Sequence, residues 1–201
     1  MALVFANNSS LTNITALPSG ISGGALNLIS TQTASASASI EFTSGIDSTY
    51  DKYIFKIINY NPATDSQGLQ FQVSTNGGSS YGVTMTTTWF NSYHNESDTD
   101  ANIGYASSLD LAQSTGFQHL GYQTGNGADE SQSGTLEINS PSSSTFVKHF
   151  ISRISNYRSN NYLEDTFIAG YINSTSPVNA VKFKADGDGN FDGIIKMYGV
   201  S

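Results

Sequence analysis

The 201-residue chain has only 12% charged residues but 11 Phe, 11 Tyr and one Trp, enough apolar bulk for a large core under a neutral Ser/Thr/Asn surface. Its formal net charge of −8 repels phosphate backbones, so no nucleic-acid partner is expected. The lack of cysteine removes disulfide frameworks, thiolate zinc sites and thiol nucleophiles.

Taken in chain order, residues 1–32 carry no clean period and contain PSGISGG. They hold Leu3, Val4, Phe5, Leu11, Ile14, Leu17, Ile21 and Leu28 without a core of their own. Apolar side chains in that setting mark an interaction surface, so an extended anchoring arm is expected. MALVFANNSS has no basic n-region, and no secretory signal is expected. No stretch approaches the ~18 apolar residues of a membrane span, so no membrane partner is expected. The sequons at Asn8, Asn13, Asn95 and Asn173 are what chance gives in a chain this rich in Asn, Ser and Thr.

From residue 33 to 201 the dominant period is two, as in one-sided strands. Ala34, Ala36, Ala38, Ile40 and Phe42 alternate with Ser and Glu41. KYIFKIIN is nearly all apolar or aromatic, the pattern of a central strand covered on both faces. In LQFQVST, Leu69, Phe71 and Val73 alternate with Gln70 and Gln72, which should face solvent. Tyr81, Val83, Met85 and Trp89 share one parity. SSLDLAQSTGF is long enough for one short helix, and TFVKHFISRISNY, DTFIAGYIN, NAVKFKA and GIIKMYGV read as strands rich in Val, Ile, Thr, Tyr and Phe. The segments between are clusters of Gly, Pro, Asn, Asp and Ser. About ten short strands predict an all-β antiparallel sandwich, a jelly roll, over residues 33–201. Its core should contain Trp89, Phe71, Phe55, Phe150 and Phe183.

The residues that carry chemistry form no expected catalytic constellation, and no enzymatic activity or cofactor is expected. None of His94, His119 and His149 lies near a nucleophile elbow. The adjacent carboxylates Asp129–Glu130 and Glu164–Asp165 point to opposite faces of an extended chain, so neither pair flanks one glycosidic bond. HNESDTD, with His94, Glu96, Asp98 and Asp100, reads as a solvated charge run. Asp188, Asn190, Asp192 and Gly193 match the opening of a calcium loop, but the twelfth position is Gly199 and the flanks alternate as strands. ADGDGN is therefore expected to turn a β-hairpin, with Asp186, Asp188 and Asp192 as weak calcium candidates only. Trp89, Phe90, Tyr93, Tyr122 and Tyr162 are the aromatic side chains available to a sugar.

GIDSTYDKYIFKIINYNPATD, TTTWFNSYHNESDTD, GNGADESQSGTLEINSPSSSTFVKHFISRISNY and GNFDGIIKMYGV together resemble small β-rich virion structural proteins of tailed, often marine, phages. The resemblance spans roughly Thr31 to Gly199. It implies a non-enzymatic virion component, a tail, head-fibre or capsid decoration protein. The expected partners are then copies of itself, a trimer by fold analogy, and the major capsid protein or another virion protein. The expected location is the virion, assembled in the host cytoplasm. The alternative is a receptor- or glycan-binding module that meets a host surface glycan.

Overall fold

Most period-two segments become strands in the computed structural model, which describes residues 25–200; Tyr81 and Val83 precede their strand, and Ala36 and Ala38 are exposed where the chain breaks between two strands. In chain order they are β1 (Leu26–Ser37), β2 (Ser39–Phe42), β3 (Lys52–Pro62), β4 (Leu69–Ser74), β5 (Met85–Asn95) and β6 (Ala101–Tyr105). Then come β7 (Gln118–His119), β8 (Gln132–Asn139), β9 (Lys148–Arg158), β10 (Tyr162–Ile172), β11 (Ala180–Ala185) and β12 (Phe191–Val200). They form an eight-stranded sheet in the order β1-β12-β3-β8-β9-β10-β5-β6 and a four-stranded sheet in the order β2-β11-β4-β7. Every pairing is antiparallel. This all-β, two-sheet sandwich is compatible with the jelly roll expected from the sequence.

Aromatic side chains hold the two sheets together. Phe55 on β3 packs at 5.3 Å from Phe42 on β2 and 5.5 Å from Phe183 on β11. Phe71 on β4 meets Phe150 on β9 edge to face at 5.0 Å. Trp89, Phe71, Phe55, Phe150 and Phe183 are all buried, as their parity predicts. Each fully buried ring of this kind contributes about 1.5–3 kcal/mol by removal from water, and favourable ring pairs add ~0.5–1.5 kcal/mol.

Five local expectations change. Leu26 to Gln32 are not arm: they lie in β1, paired along β12 from Leu26↔Val200 to Gln32↔Ile195. Leu3, Val4, Phe5, Leu11, Ile14, Leu17 and Ile21 lie outside the described residues. β3 buries Tyr53, Phe55 and Ile57 on one face, while Lys52, Ile54 and Lys56 on the other are only half-buried.

SSLDLAQSTGF forms no helix. Its backbone bonds instead to the free edge of β5, with Thr87 N donating to Leu111 O and Ser114 N to Met85 O. Gln70 and Gln72 are buried rather than solvated, because a distant loop covers the outer face of the small sheet. The Gln72 amide nitrogen donates to the carbonyls of Val83, Thr115 and Gly116, at 3.2, 3.1 and 2.9 Å.

The last correction is the C-terminal turn. β11 pairs with β2 and β4, whereas β12 pairs with β1 and β3, so ADGDGN is no hairpin. It is an arch that carries the chain from the small sheet to the large one through a 3-10 turn at Asp186–Asp188. Gly187 (φ 71°) and Asp188 (φ 59°) make the left-handed step. Gly, Asn and Asp supply such φ values for an arch as readily as for a hairpin.

Candidate functional site

Phe71 of the small sheet reaches Phe150 on β9 of the large one. Beyond it, the inner surface over β9, β10 and β5 is met by the 109–124 segment, which carries β7 and is pinned by buried polar side chains. The Thr87 hydroxyl donates to Gln118 Oε1 at 2.6 Å, and the Thr166 hydroxyl to Leu120 O at 2.8 Å. Asn156 Nδ2 donates to Tyr122 O at 2.7 Å.

Glu164 lies in this seam with no solvent exposure. Its carboxylate accepts from Asn91 Nδ2 at 2.6 Å and Asn156 Nδ2 at 3.1 Å, with the Arg158 guanidinium at 3.6 Å. Burial raises its pKa above the ordinary glutamate value, against the lowering effect of these partners. Asn91 on β5 and Asn156 and Arg158 on β9 hold the carboxylate of β10 between them, as a structural clamp does. Lys148 is a second buried charge. Its ammonium donates to the carbonyls of Ser174 and Ser176 at 3.0 and 2.7 Å, and burial lowers its pKa.

The outer surface of the same sheet has the opposite character. Among the described residues, seven of the eight exposed large apolar side chains stand on it. Leu26 and Leu28 project from β1, beside Val200 and Tyr198. Phe90 and Tyr105 are cross-strand partners, as are Ser92 and Ile103. Ile151 and Leu163 are each 58% exposed, and Ile103 is 75% exposed. Phe90 stacks flat on Phe167 at 5.0 Å, and the Arg153 guanidinium caps Phe167 at 4.7 Å. Arg153 also pairs with Asp165, at 3.0 and 2.7 Å. A shallow depression of about 470 Å³ opens beside these groups, bounded by Ile103, Leu163, His94 and Asp165.

Of the residues singled out in the sequence, few meet. Asp188 pairs with Lys184, Asp192 accepts from Ala36 N at 2.7 Å, and Asp186 takes a long bond from Gln70 at 3.4 Å. Among the described residues, no three His, Cys, Asp or Glu side chains are grouped to hold a metal. His94 pairs with Asp98 at 2.9 Å, while Glu96 and Asp100 accept from the hydroxyls of Tyr157 and Tyr162.

His119 is half-buried against Gln70, and desolvation lowers its pKa. His149 is exposed on the outer face, edge-on to Tyr171. Glu164 points in and Asp165 out, as adjacent strand residues must. Glu130 turns its carboxylate onto the backbone of Gly127, at 2.6 Å.

The five aromatics proposed for sugar contact do not share a surface. Trp89 is buried, and Phe90 lies on the outer face. Tyr93 and Tyr162 have the inner parity and meet edge to face at 5.6 Å. Tyr122 sits in the sealing loop near His119. Sequence reasoning missed Ile151, Leu163, Ile103 and Tyr105 as a joint surface, because their cross-strand register is invisible in one dimension.

No family model matches the chain, and neither does any curated protein or solved structure at a significant level.

Proposed function

We propose that this chain is a non-enzymatic structural module of a phage virion, a capsid decoration or cement protein or a tail-associated module, that attaches to the particle as a homo-oligomer. The observation that carries the reading is the apolar outer face of the large sheet. Phe90, Ile103, Tyr105, Ile151 and Leu163 stand exposed on the outer face of the neighbouring strands β9, β10, β5 and β6, and such a grouping on an otherwise acidic, hydrophilic chain is the mark of a protein-contact surface.

The strand order supports the finer reading of a jelly roll. β1-β12-β3-β8 opposed to β2-β11-β4-β7 is the order of two interlocked four-stranded sheets, and β5–β6 and β9–β10 are insertions that widen only one of them. In this reading Leu3, Val4, Phe5, Leu11, Ile14, Leu17 and Ile21 anchor the module to the major capsid protein or another virion protein.

The test is quantitative mass spectrometry of purified particles. Hundreds of copies per particle support decoration and a few copies support a tail or fibre position. Absence from particles overturns the virion reading. Deletion of residues 1–24 leaves β1 intact, and loss of incorporation on that deletion supports the anchor. Normal incorporation of the truncated protein sinks it.

The second reading is a receptor- or glycan-binding module, favoured by the exposed Phe90–Phe167 stack with Arg153 over it. Glycan-array binding that is lost in Phe90→Ala supports it. The absence of any glycan signal from the intact chain removes it.

A further inference from the structure

β6 is the last strand of the large sheet and pairs with β5 alone. The bonds that bracket it, Asn95 N to Asp100 O and Ala106 N to Trp89 O, fix which of its residues bond inward. Asn102 and Gly104 share that parity and face β5. Ala101, Ile103 and Tyr105 therefore turn their N–H and C=O groups to the free edge. Among the described residues no main-chain group meets them there, and one side chain does: Asn102 Oδ1 accepts from Ile103 N at 2.9 Å. Asn102 is itself exposed, so a partner carbonyl can take its place.

Open sheets protect their edges, and the other edges of this fold show how. β1 slips register twice along β12, and Ala36, at φ 46°, gives its N–H to Asp192. β2 is four residues long and carries the Glu41–Lys182 ion pair, and β7 has two residues. β6 has no proline, no charge and no bulge. Its register along β5 is unbroken from Phe90↔Tyr105 to His94↔Ala101. The chemistry that fits such an edge is another extended strand.

Two features of β6 identify that strand. A side chain at Gly104 would have nothing within 4 Å of its Cβ, so its own chain does not demand a glycine in mid-strand. Glycine at such a place marks the close approach of another backbone. The sequence ANIGY is also complementary to itself when reversed. Antiparallel pairing centred on Ile103 sets Tyr105 opposite Ala101, Asn102 opposite Gly104, and Ile103 opposite Ile103. Each bulky side chain then faces a small one, the two isoleucines meet at the centre, and every free N–H finds a C=O.

We infer that β6 pairs antiparallel with β6 of a second copy of this chain, about a two-fold axis normal to the sheet at Ile103, and so joins two eight-stranded sheets edge to edge. This deepens the reading above and rests on it only for the expectation of a homo-oligomer. An isologous contact of this kind needs the same strand from both copies. The axis keeps both outer faces on one side, so the exposed Phe90, Ile103 and Tyr105 of the two copies form one apolar surface across the join. A five-residue edge buries less than the ~800 Å² per partner of a standard interface, so the pair fills only at ~0.1–1 mM.

The test is disulfide trapping of the full chain at ~0.5 mM under a mild oxidant, with circular dichroism to check each fold. The chain has no cysteine, so one introduced thiol reports the register without background. Opposed residues of a bonded pair have Cα atoms ~5.5 Å apart, inside the disulfide range. Ile103→Cys should therefore link to itself, with a yield ~10-fold or more above Ile151→Cys, an exposed control on β9. Ala101→Cys and Tyr105→Cys should each stay unlinked alone, since like residues stand ~14 Å apart, and should link when mixed. Ile103→Pro removes a donor that β5 does not use, so the strand should still fold, while self-association by light scattering should weaken ~10-fold or more.

Equal yields from Ile103→Cys and Ile151→Cys overturn the inference, whatever else covers the edge. So does self-linking of Ala101→Cys, or a folded Ile103→Pro chain that associates as well as the intact one. If Ile103→Pro does not fold, the cysteine pairs decide. Particle incorporation is scored separately. A chain that fails to link yet joins particles sinks this pairing and leaves the functional reading standing, and one that links yet is absent from particles does the reverse.

Discussion

Replacing Gln72 by Leu tests whether a loop seals the outer face of the small sheet. The side chain is fully buried and makes four hydrogen bonds. Nε2 donates to Val83 O, Thr115 O and Gly116 O, and Oε1 accepts from Val73 N at 2.7 Å. An NH₂ group has two hydrogens, so two donated bonds and one accepted bond are lost in energetic terms. At a net ~1 kcal/mol each the loss is ~3 kcal/mol, and it approaches ~5 kcal/mol if the carbonyls stay dry and unpaired. The gain from burying a Leu offsets ~1 kcal/mol of this.

The expected net destabilisation is therefore ~2–4 kcal/mol. In a domain of this size that lowers Tm by ~4–16 °C. Urea denaturation measures the free energy, and limited proteolysis within residues 111–117 measures the loop. Gln72→Leu should lower the urea midpoint and speed cleavage there. A change under ~1 kcal/mol with unchanged cleavage would refute the reasoning, since it would mean that water already solvates the amide.

Truncating Phe71 to Ala removes a ring packed against Phe150 and Phe183, and should cost about 3–5 kcal/mol by urea denaturation. A cost below ~1 kcal/mol would place β4 in another register. Glu164 holds its proton above the ordinary glutamate value because it is buried. Below that ordinary value both folded and unfolded chains are protonated. As pH rises past it, the unfolded chain releases a proton that the fold retains, so stability falls until the folded pKa is passed and is level beyond. Glu164→Gln lacks this dependence, so Tm(variant) minus Tm(wild type) should rise with pH through that window and then flatten. A difference independent of pH would show that the pKa is not raised. Replacing Asp186, Asp188 and Asp192 together by Asn keeps an acceptor for Ala36 N and the left-handed turn at 188, so the variant should fold. A chelator should leave the wild-type Tm unchanged, and a large drop would revive a calcium site in the arch.

The sequence by itself determined what depends on neighbours along the chain. Alternation with Val, Ile, Thr, Tyr and Phe marks a strand, and it assigned Trp89, Phe71, Phe55, Phe150 and Phe183 to the core. Gly187 and Asp188 marked a left-handed turn for the same local reason.

What lies across each strand was decided only in three dimensions. ADGDGN accepts φ > 0 whether β11 and β12 pair with each other or part to different sheets, and strand pairing is non-local. Gln72 alternates with apolar residues as a surface residue does, yet a loop some forty residues away supplies it with carbonyls. Lys148 is inside and Ile151 outside, because the carbonyls of Ser174 and Ser176 reach the ammonium while none of the described residues covers Ile151 on the outer face of β9. The apolar outer face is the extreme case. Its residues come from separate strands, each with an unremarkable solvent parity, and only the cross-strand register brings them side by side.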